Sequence, residues 1–167
     1  MNQPKRKICF VITSFIHYSR NLLILSELNK RPDVELHIIV GSAAFLPKYV
    51  SIFGGVDTLL ARERLTNVHK VHFNLEVSEG ITEAKTLGLG AIEFSSVFYR
   101  LKPDLVVVLG DRFEVLSAAA SAAYMNISVA HIEGGDVSGT LDESVRHAIT
   151  KLCSLHATSC YRFSTSL

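Results

Sequence analysis

Paired cysteines are missing from this sequence: Cys9, Cys153 and Cys160 are an odd set with no C-x-x-C spacing. They offer neither a disulfide framework nor a zinc pattern. Cys9 and Cys153 fall in apolar periodic segments, where a reduced thiol serves as a small core residue, which points to a reducing compartment. Charge of one sign is lacking too. A formal net charge of +1 gives no reason to expect a nucleic acid or an anionic lipid surface as partner. The one basic cluster, Lys5-Arg6-Lys7, reads as a solvated flank of the first strand. No apolar run approaches the roughly 18–20 residues of a membrane span. Segment 5–16 starts like a signal peptide, but Ser14 and the polar residues 17–21 interrupt it, and no small-residue cleavage site follows. A cytoplasmic protein is the expectation.

Several chemical signatures are absent as well. There is no P-loop, no G-x-S-x-G and no His/Cys/Asp grouping with metal-ligand spacing. Gly88-x-Gly90 lies late in a helical segment rather than after a strand, so the dinucleotide fingerprint is missing. No metal and no cofactor is expected. Internal repeats and low-complexity tracts are also absent.

What is present is a chain of 167 residues, 48% hydrophobic and 20% charged, enough for one domain with a sizeable core. Strand-like and helix-like patterns alternate along it. Residues 8–13 (ICFVIT), 34–40 (VELHIIV), 105–109 (LVVVL) and 127–132 (ISVAHI) are apolar runs of the kind buried on both faces of a parallel sheet. Residues 68–73 (VHKVHF) make a weaker strand nearer the sheet edge. Helices are predicted over 22–28, stopping before Pro32, over 82–100 with a period near 3.6, over the alanine-rich 113–124, and from 141 to about 156. Residues 14–21 read as a loop, and 41–66 as loops with one or two short helical pieces. The alternation predicts an α/β fold with a doubly wound, mainly parallel, Rossmann-like sheet.

In such sheets ligands bind beyond the carboxyl ends of the strands. Asp111 follows the run 105–109, and Glu133 ends the run 127–132. Asp142, Glu143 and Arg146 open the last helix. Three of these carboxylates, Asp111, Glu133 and Asp142, and Arg146 therefore converge on one rim if these strands are neighbours.

Asp111 has two readings: a site carboxylate, or one half of a capping box with Glu114. Glu133 is followed by Gly134-Gly135, which no helix cap requires, and a carboxyl desolvated there gains general-acid character. Thr140 and Glu143 have capping-box spacing, which leaves Asp142 without a structural task. Asp142 and Arg146, four apart, share a helix face and pair as a plain surface couple or as part of the rim. His131 reads as a packed or hydrogen-bonded histidine. Ser19 with Arg20 lies after the first strand, where a phosphate often sits in these folds.

The strings LGDRFE at 109–114 and HIEGGDVSGTLDESVRHAITKL at 131–152 closely resemble the UDP-N-acetylglucosamine 2-epimerase family, in its hydrolysing, sialic-acid-pathway branch. The likeness runs from about Lys7 to His156. It implies one half of a glycosyltransferase-B-like two-domain fold: an N-terminal domain over 1–158, a divergent tail over 159–167, and a C-terminal nucleotide-binding domain absent. It implies a UDP-sugar substrate and a homo-oligomer in the full-length family. The implied reaction converts UDP-N-acetylglucosamine and water to N-acetylmannosamine and UDP, through loss of the C2 proton and elimination to a glycal. The family's catalytic positions fall on Asp111, Glu133, Asp142 and Arg146, and its UDP contacts on Arg112 and Ser19. One departure is Phe15, where the family commonly carries an arginine. The alternative expectation is a catalytically inactive fragment acting at most as a binding or oligomerisation module. A sugar-transferring glycosyltransferase-B donor domain fits less well, because such transfer needs no C2 deprotonation.

Overall fold

The structure, a computed structural model, describes residues 4–46, 50, 54–75, 79–135, 139 and 141–158. The apolar runs become six strands: β1 (Arg6–Ile12), β2 (Val34–Gly41), β3 (Val68–Val71), β4 (Leu105–Leu109), β5 (Ser128–Ile132) and β6 (Leu155–Ala157). They pair in parallel in the order β3-β2-β1-β4-β5-β6. The chain thus builds outward from β1 on one side, returns to β4 at the centre, and builds outward on the other side. That reversal is the topological switch point of a doubly wound sheet.

Between the strands lie α1 (Phe15–Lys30), a short 3-10 turn (Ser42–Phe45), α2 (Gly55–Arg62), α3 (Gly80–Leu101), α4 (Phe113–Tyr124) and α5 (Leu141–Leu152). Strand alternation sorts the core into two layers. Ile8, Phe10 and Ile12 of β1 face Leu25 of α1 and Leu60 of α2. Cys9 and Val11 face the other way, toward Phe94 and Phe98 of α3 and Ala118, Ala119 and Ala122 of α4. Each fully buried large apolar side chain contributes about 1.5–3 kcal/mol. The fully buried alanines of α4 leave little side-chain bulk on its inner face beyond its first turn, so it lies close to the central strands.

The expected parallel, Rossmann-like fold is therefore observed, with β3 at a sheet edge and short helical pieces between β2 and β3. Three local expectations are corrected. Residues 15–21 are not loop: α1 begins at Phe15, with Ser14 as N-cap accepting from the His17 N–H. Its buried face is His17, Tyr18, Asn21 and Leu25, and the two polar members conceal the helical period. The last helix ends at Leu152, not near 156, because the chain re-enters the sheet as the three-residue β6.

Asp111 does not cap α4: the N-cap is Arg112, with no side-chain cap bond, and Glu114 is turned inward. Of the other expected box, Thr140 lies outside the described residues, while Glu143 accepts from the Gly139 N–H. The tail 159–167 lies outside them too.

Candidate active site

A cleft of about 390 Å³ opens at the carboxyl ends of the strands, over the switch between β1 and β4. Its lining comes from segments far apart in the chain. Ser14, His17 and Arg20 come from the start of α1, and Gly110, Asp111 and Arg112 follow β4. Glu133 follows β5, and Asp142 lies in the first turn of α5. The Gly110 N–H donates to the Ile132 carbonyl at 3.0 Å, and the Glu133 N–H to the Ala157 carbonyl at 2.7 Å. These bonds fix the β4 and β5 loops against their neighbours.

The three acids each meet an arginine. Asp111 forms an ion pair with Arg146, both side chains being largely buried. Glu133 receives Arg20 Nη1 on both carboxylate oxygens, at 3.0 and 2.9 Å. Its backbone is left-handed, with φ 62°, a conformation that costs a non-glycine residue on the order of 1 kcal/mol. Asp142 lies close enough to Arg112 to favour its charge. Burial works against the Arg112 guanidinium, but the hydrogen bonds and charge of Glu114, then Asp142, hold its pKa above the ordinary value.

Of the six residues anticipated for the site, Asp111, Arg112, Glu133 and Asp142 are brought together on the cleft. Arg146 is not among the described lining residues and stands behind Asp111. Arg146 reaches back to make an ion pair with Asp111, 35 positions earlier in the chain. Ser19 is an exposed helix residue whose hydroxyl donates to the Ile16 carbonyl at 3.2 Å, and it too is not among the described lining residues. The Glu133 side chain is 31% exposed and ion-paired with Arg20.

Three groups escaped the sequence reading. Glu114 has a fully buried side chain, accepts from Arg112 Nε and Nη2 at 3.0 Å each, and also accepts from Ser42 Oγ at 2.9 Å. It anchors Arg112 from beneath. His17 is buried, and burial, then Arg112, pushes its pKa down to about 4, against the pull of Asp111. Arg20 sits beside Ser19 in the sequence, but its carboxylate partner, Glu133, lies 113 positions away. The signals available were a charged residue inside an apolar helix start, for Glu114, and a histidine just after a buried strand, for His17.

His131 is the packed histidine expected. It is fully buried; Nε2 donates to the Gly110 carbonyl at 2.7 Å, and Nδ1 accepts from Thr150 Oγ1 at 3.1 Å. Its ring explains one of the two following glycines, since a Cβ on Gly134 would stand 2.7 Å from His131 Nδ1. Gly135 has φ 82°, where only glycine is unstrained. Among the described residues no group of three or more His, Cys, Asp or Glu side chains is placed to hold a metal. Among them, no helix is long and apolar enough to cross a membrane.

This chain is similar in sequence and in fold to known proteins. The profile of the UDP-N-acetylglucosamine 2-epimerase family matches residues 26–167. The UDP-N,N'-diacetylbacillosamine 2-epimerase (hydrolyzing) of Legionella pneumophila is 33% identical over 151 residues, 90% of this chain and 39% of that protein. The UDP-N-acetylglucosamine 2-epimerase of Neisseria meningitidis is 33% identical over 152 residues, 91% of this chain and 38% of that protein. The chain thus spans about two fifths of the length of the curated relatives it matches. The solved UDP-GlcNAc 2-epimerase of Neisseria meningitidis bound to UDP-GlcNAc superposes with a TM-score of 0.74 at 18% identity, covering 91% of this chain and 40% of that one. At that identity the likeness is one of fold.

Proposed function

The chain belongs to the UDP-N-acetylglucosamine 2-epimerase family, and from that premise we propose that it forms the N-terminal half of a hydrolysing 2-epimerase. The substrate is UDP-N-acetylglucosamine, and the products are N-acetylmannosamine and UDP. The observation that carries this reading is that Asp111, Glu133 and Asp142 line one cleft at the switch point, each matched by an arginine. The wording of two names supports it: the Legionella relative is called hydrolyzing, and the Neisseria structure is bound to UDP-GlcNAc.

The reaction needs a base at C2 of the sugar, stabilisation of a departing diphosphate, and an acid to return a proton. A carboxylate removes the C2 proton, and that electron pair becomes the C1–C2 double bond as the C1–O bond breaks toward UDP. Water then adds across the glycal. Its oxygen bonds to C1, and a proton reaches C2 from the opposite face, giving N-acetylmannosamine. Glu133 and Asp142 act as the proton-transfer groups, and Asp111, held by Arg146, positions or shares a proton. Arg112, anchored on Glu114, takes the charge growing on the diphosphate, with Ser19 at the nucleotide's outer edge. A cytoplasmic, homo-oligomeric enzyme that supplies N-acetylmannosamine for sialic acid synthesis completes the reading.

The test joins this chain to the remaining C-terminal portion of the Neisseria meningitidis relative and assays release of UDP and N-acetylmannosamine. Turnover is expected in the joined protein and not in the chain alone. Persistent inactivity of a folded joined protein would sink the epimerase assignment.

A further inference from the structure

At the carboxyl end of β1 one ring is held in a single tautomer by the main chain beside it. His17, the third residue of α1, is 5% exposed and lines the cleft. The Thr13 main-chain N–H donates to His17 Nδ1 at 3.4 Å, and Thr13 Oγ1 lies 3.2 Å from the same nitrogen. A backbone N–H can only donate, so Nδ1 carries the lone pair and the ring proton sits on Nε2. Nε2 has no hydrogen-bond partner among the described residues. It faces the Gly110 turn, where a Cβ would stand 3.8 Å away.

The surroundings say what that donor meets. Arg112 and Arg20 oppose protonation of the ring, Asp111 favours it, and burial outweighs them all, so the imidazole stays neutral at neutral pH. Two guanidinium groups and the first turn of α1 contribute positive potential beside the ring, next to the carboxylates of Asp111, Glu133 and Asp142. Both arginines are already bonded to carboxylates, Arg20 to Glu133 and Arg112 to Glu114. His17 Nε2 is therefore a donor of the cleft that no carboxylate occupies, and an oxygen carrying negative charge suits it better than a hydroxyl.

We propose that His17 contacts the substrate, its Nε2–H donating to a phosphate oxygen of the diphosphate in the bound nucleotide sugar. This rests on the epimerase reading for the identity of the ligand. A neutral donor holds the oxygen without transferring a proton to it, and so does not compete with the carboxylates as an acid. As UDP departs, the charge on that oxygen grows and the bond strengthens.

The experiment uses the full chain with 15N-labelled histidine, observed by NMR, with inorganic pyrophosphate, UDP and free N-acetylglucosamine as probes. Expected are an Nε2–H tautomer for His17, a titration midpoint near 4 in the free chain, and a downfield move of the Nε2–H signal with pyrophosphate and UDP but not with the sugar. The midpoint rises when the diphosphate is bound. An Nδ1–H tautomer, no response to pyrophosphate, or a response to the sugar alone overturns the proposal.

In the joined protein, His17→Phe should raise the UDP dissociation constant and the KM about ten- to a hundredfold, the scale of one hydrogen bond to a charged acceptor. His17→Gln, which keeps an N–H donor, should recover part of that loss. A joined protein without turnover whose His17 still answers pyrophosphate would remove the epimerase reading and leave the diphosphate contact. An active joined protein indifferent to His17→Phe would do the reverse.

Discussion

Arg146, in the second turn of α5, forms its ion pair with Asp111, 35 positions earlier in the chain and across the cleft's back wall. That pair ties the loop after β4 to α5, and both side chains are largely shielded from water. Removing one partner leaves the other charged and poorly solvated, which costs more than losing a surface pair. Arg146→Ala should therefore destabilise the chain by about 1–3 kcal/mol in urea denaturation. A double-mutant cycle with Asp111→Asn should return a coupling of about 1 kcal/mol or more. Additive effects would show that the two side chains do not interact in solution.

Glu133 is the residue whose loss should separate chemistry from folding. Glu133→Gln in the joined protein should lower turnover by about 10²–10⁴-fold, the range of a lost acid–base group. The far-UV circular dichroism should be unchanged. Turnover at the unaltered rate would remove Glu133 from the proton-transfer step. Its partner should be nearly silent in stability, since the Arg20 side chain is 58% exposed and exposed pairs contribute about 0–1 kcal/mol.

Glu114 should behave in the opposite way. Its fully buried carboxylate serves both Arg112 and Ser42. Glu114→Ala removes the buried carboxylate that holds Arg112, leaving Ser42 only its bond to Asn74 Oδ1 at 3.2 Å, and should cost about 2–4 kcal/mol. Glu114→Gln keeps an acceptor oxygen and should cost less. Equal unfolding midpoints for the two variants would contradict this account of the anchor.

Acid should weaken the fold through His17. Its pKa lies near 4 in the folded chain against an ordinary 6.5. Between those values the unfolded chain takes up a proton that the folded chain refuses, so stability falls as pH drops through that window. The full contribution, on the order of 3 kcal/mol, is present above the upper value. His131, whose pKa burial also pushes down, adds in the same direction. Urea midpoints at pH 4.5 and 7 should differ less in His17→Gln than in the unaltered chain, and an identical difference would rule His17 out as the source.

Close packing beneath the site makes a fifth position sensitive. Gly134→Ala would press a methyl group against His131 Nδ1, and that ring is fixed on its other side by the Gly110 carbonyl. A loss of about 1–3 kcal/mol is expected, visible as a lower thermal midpoint. An unchanged midpoint would mean that the ring can yield.

The sheet was readable because a strand buried on both faces must be apolar throughout, as Leu105–Leu109 is. The acids at the strand ends were readable for the same reason: each interrupts a hydrophobic run. α1 was half missed because its inward face carries His17 and Asn21, polar residues satisfied by Thr13 and by the His17 carbonyl. Those bonds join residues only four apart, yet hydropathy does not register them. β6 was missed because three residues give no periodicity. The partnership of Arg20 with Glu133 spans 113 positions, and only the strand order brings those segments together.

The left-handed backbone at Glu133 makes this a position where folding and chemistry favour different residues. Asparagine occupies that region of φ with less strain than glutamate. Glu133→Asn should relieve local backbone strain while removing the longer carboxylate. On the proposed proton-transfer role, glutamate at φ 62° is a stability concession to that role, and a selection for thermostability alone would be drawn to replace it.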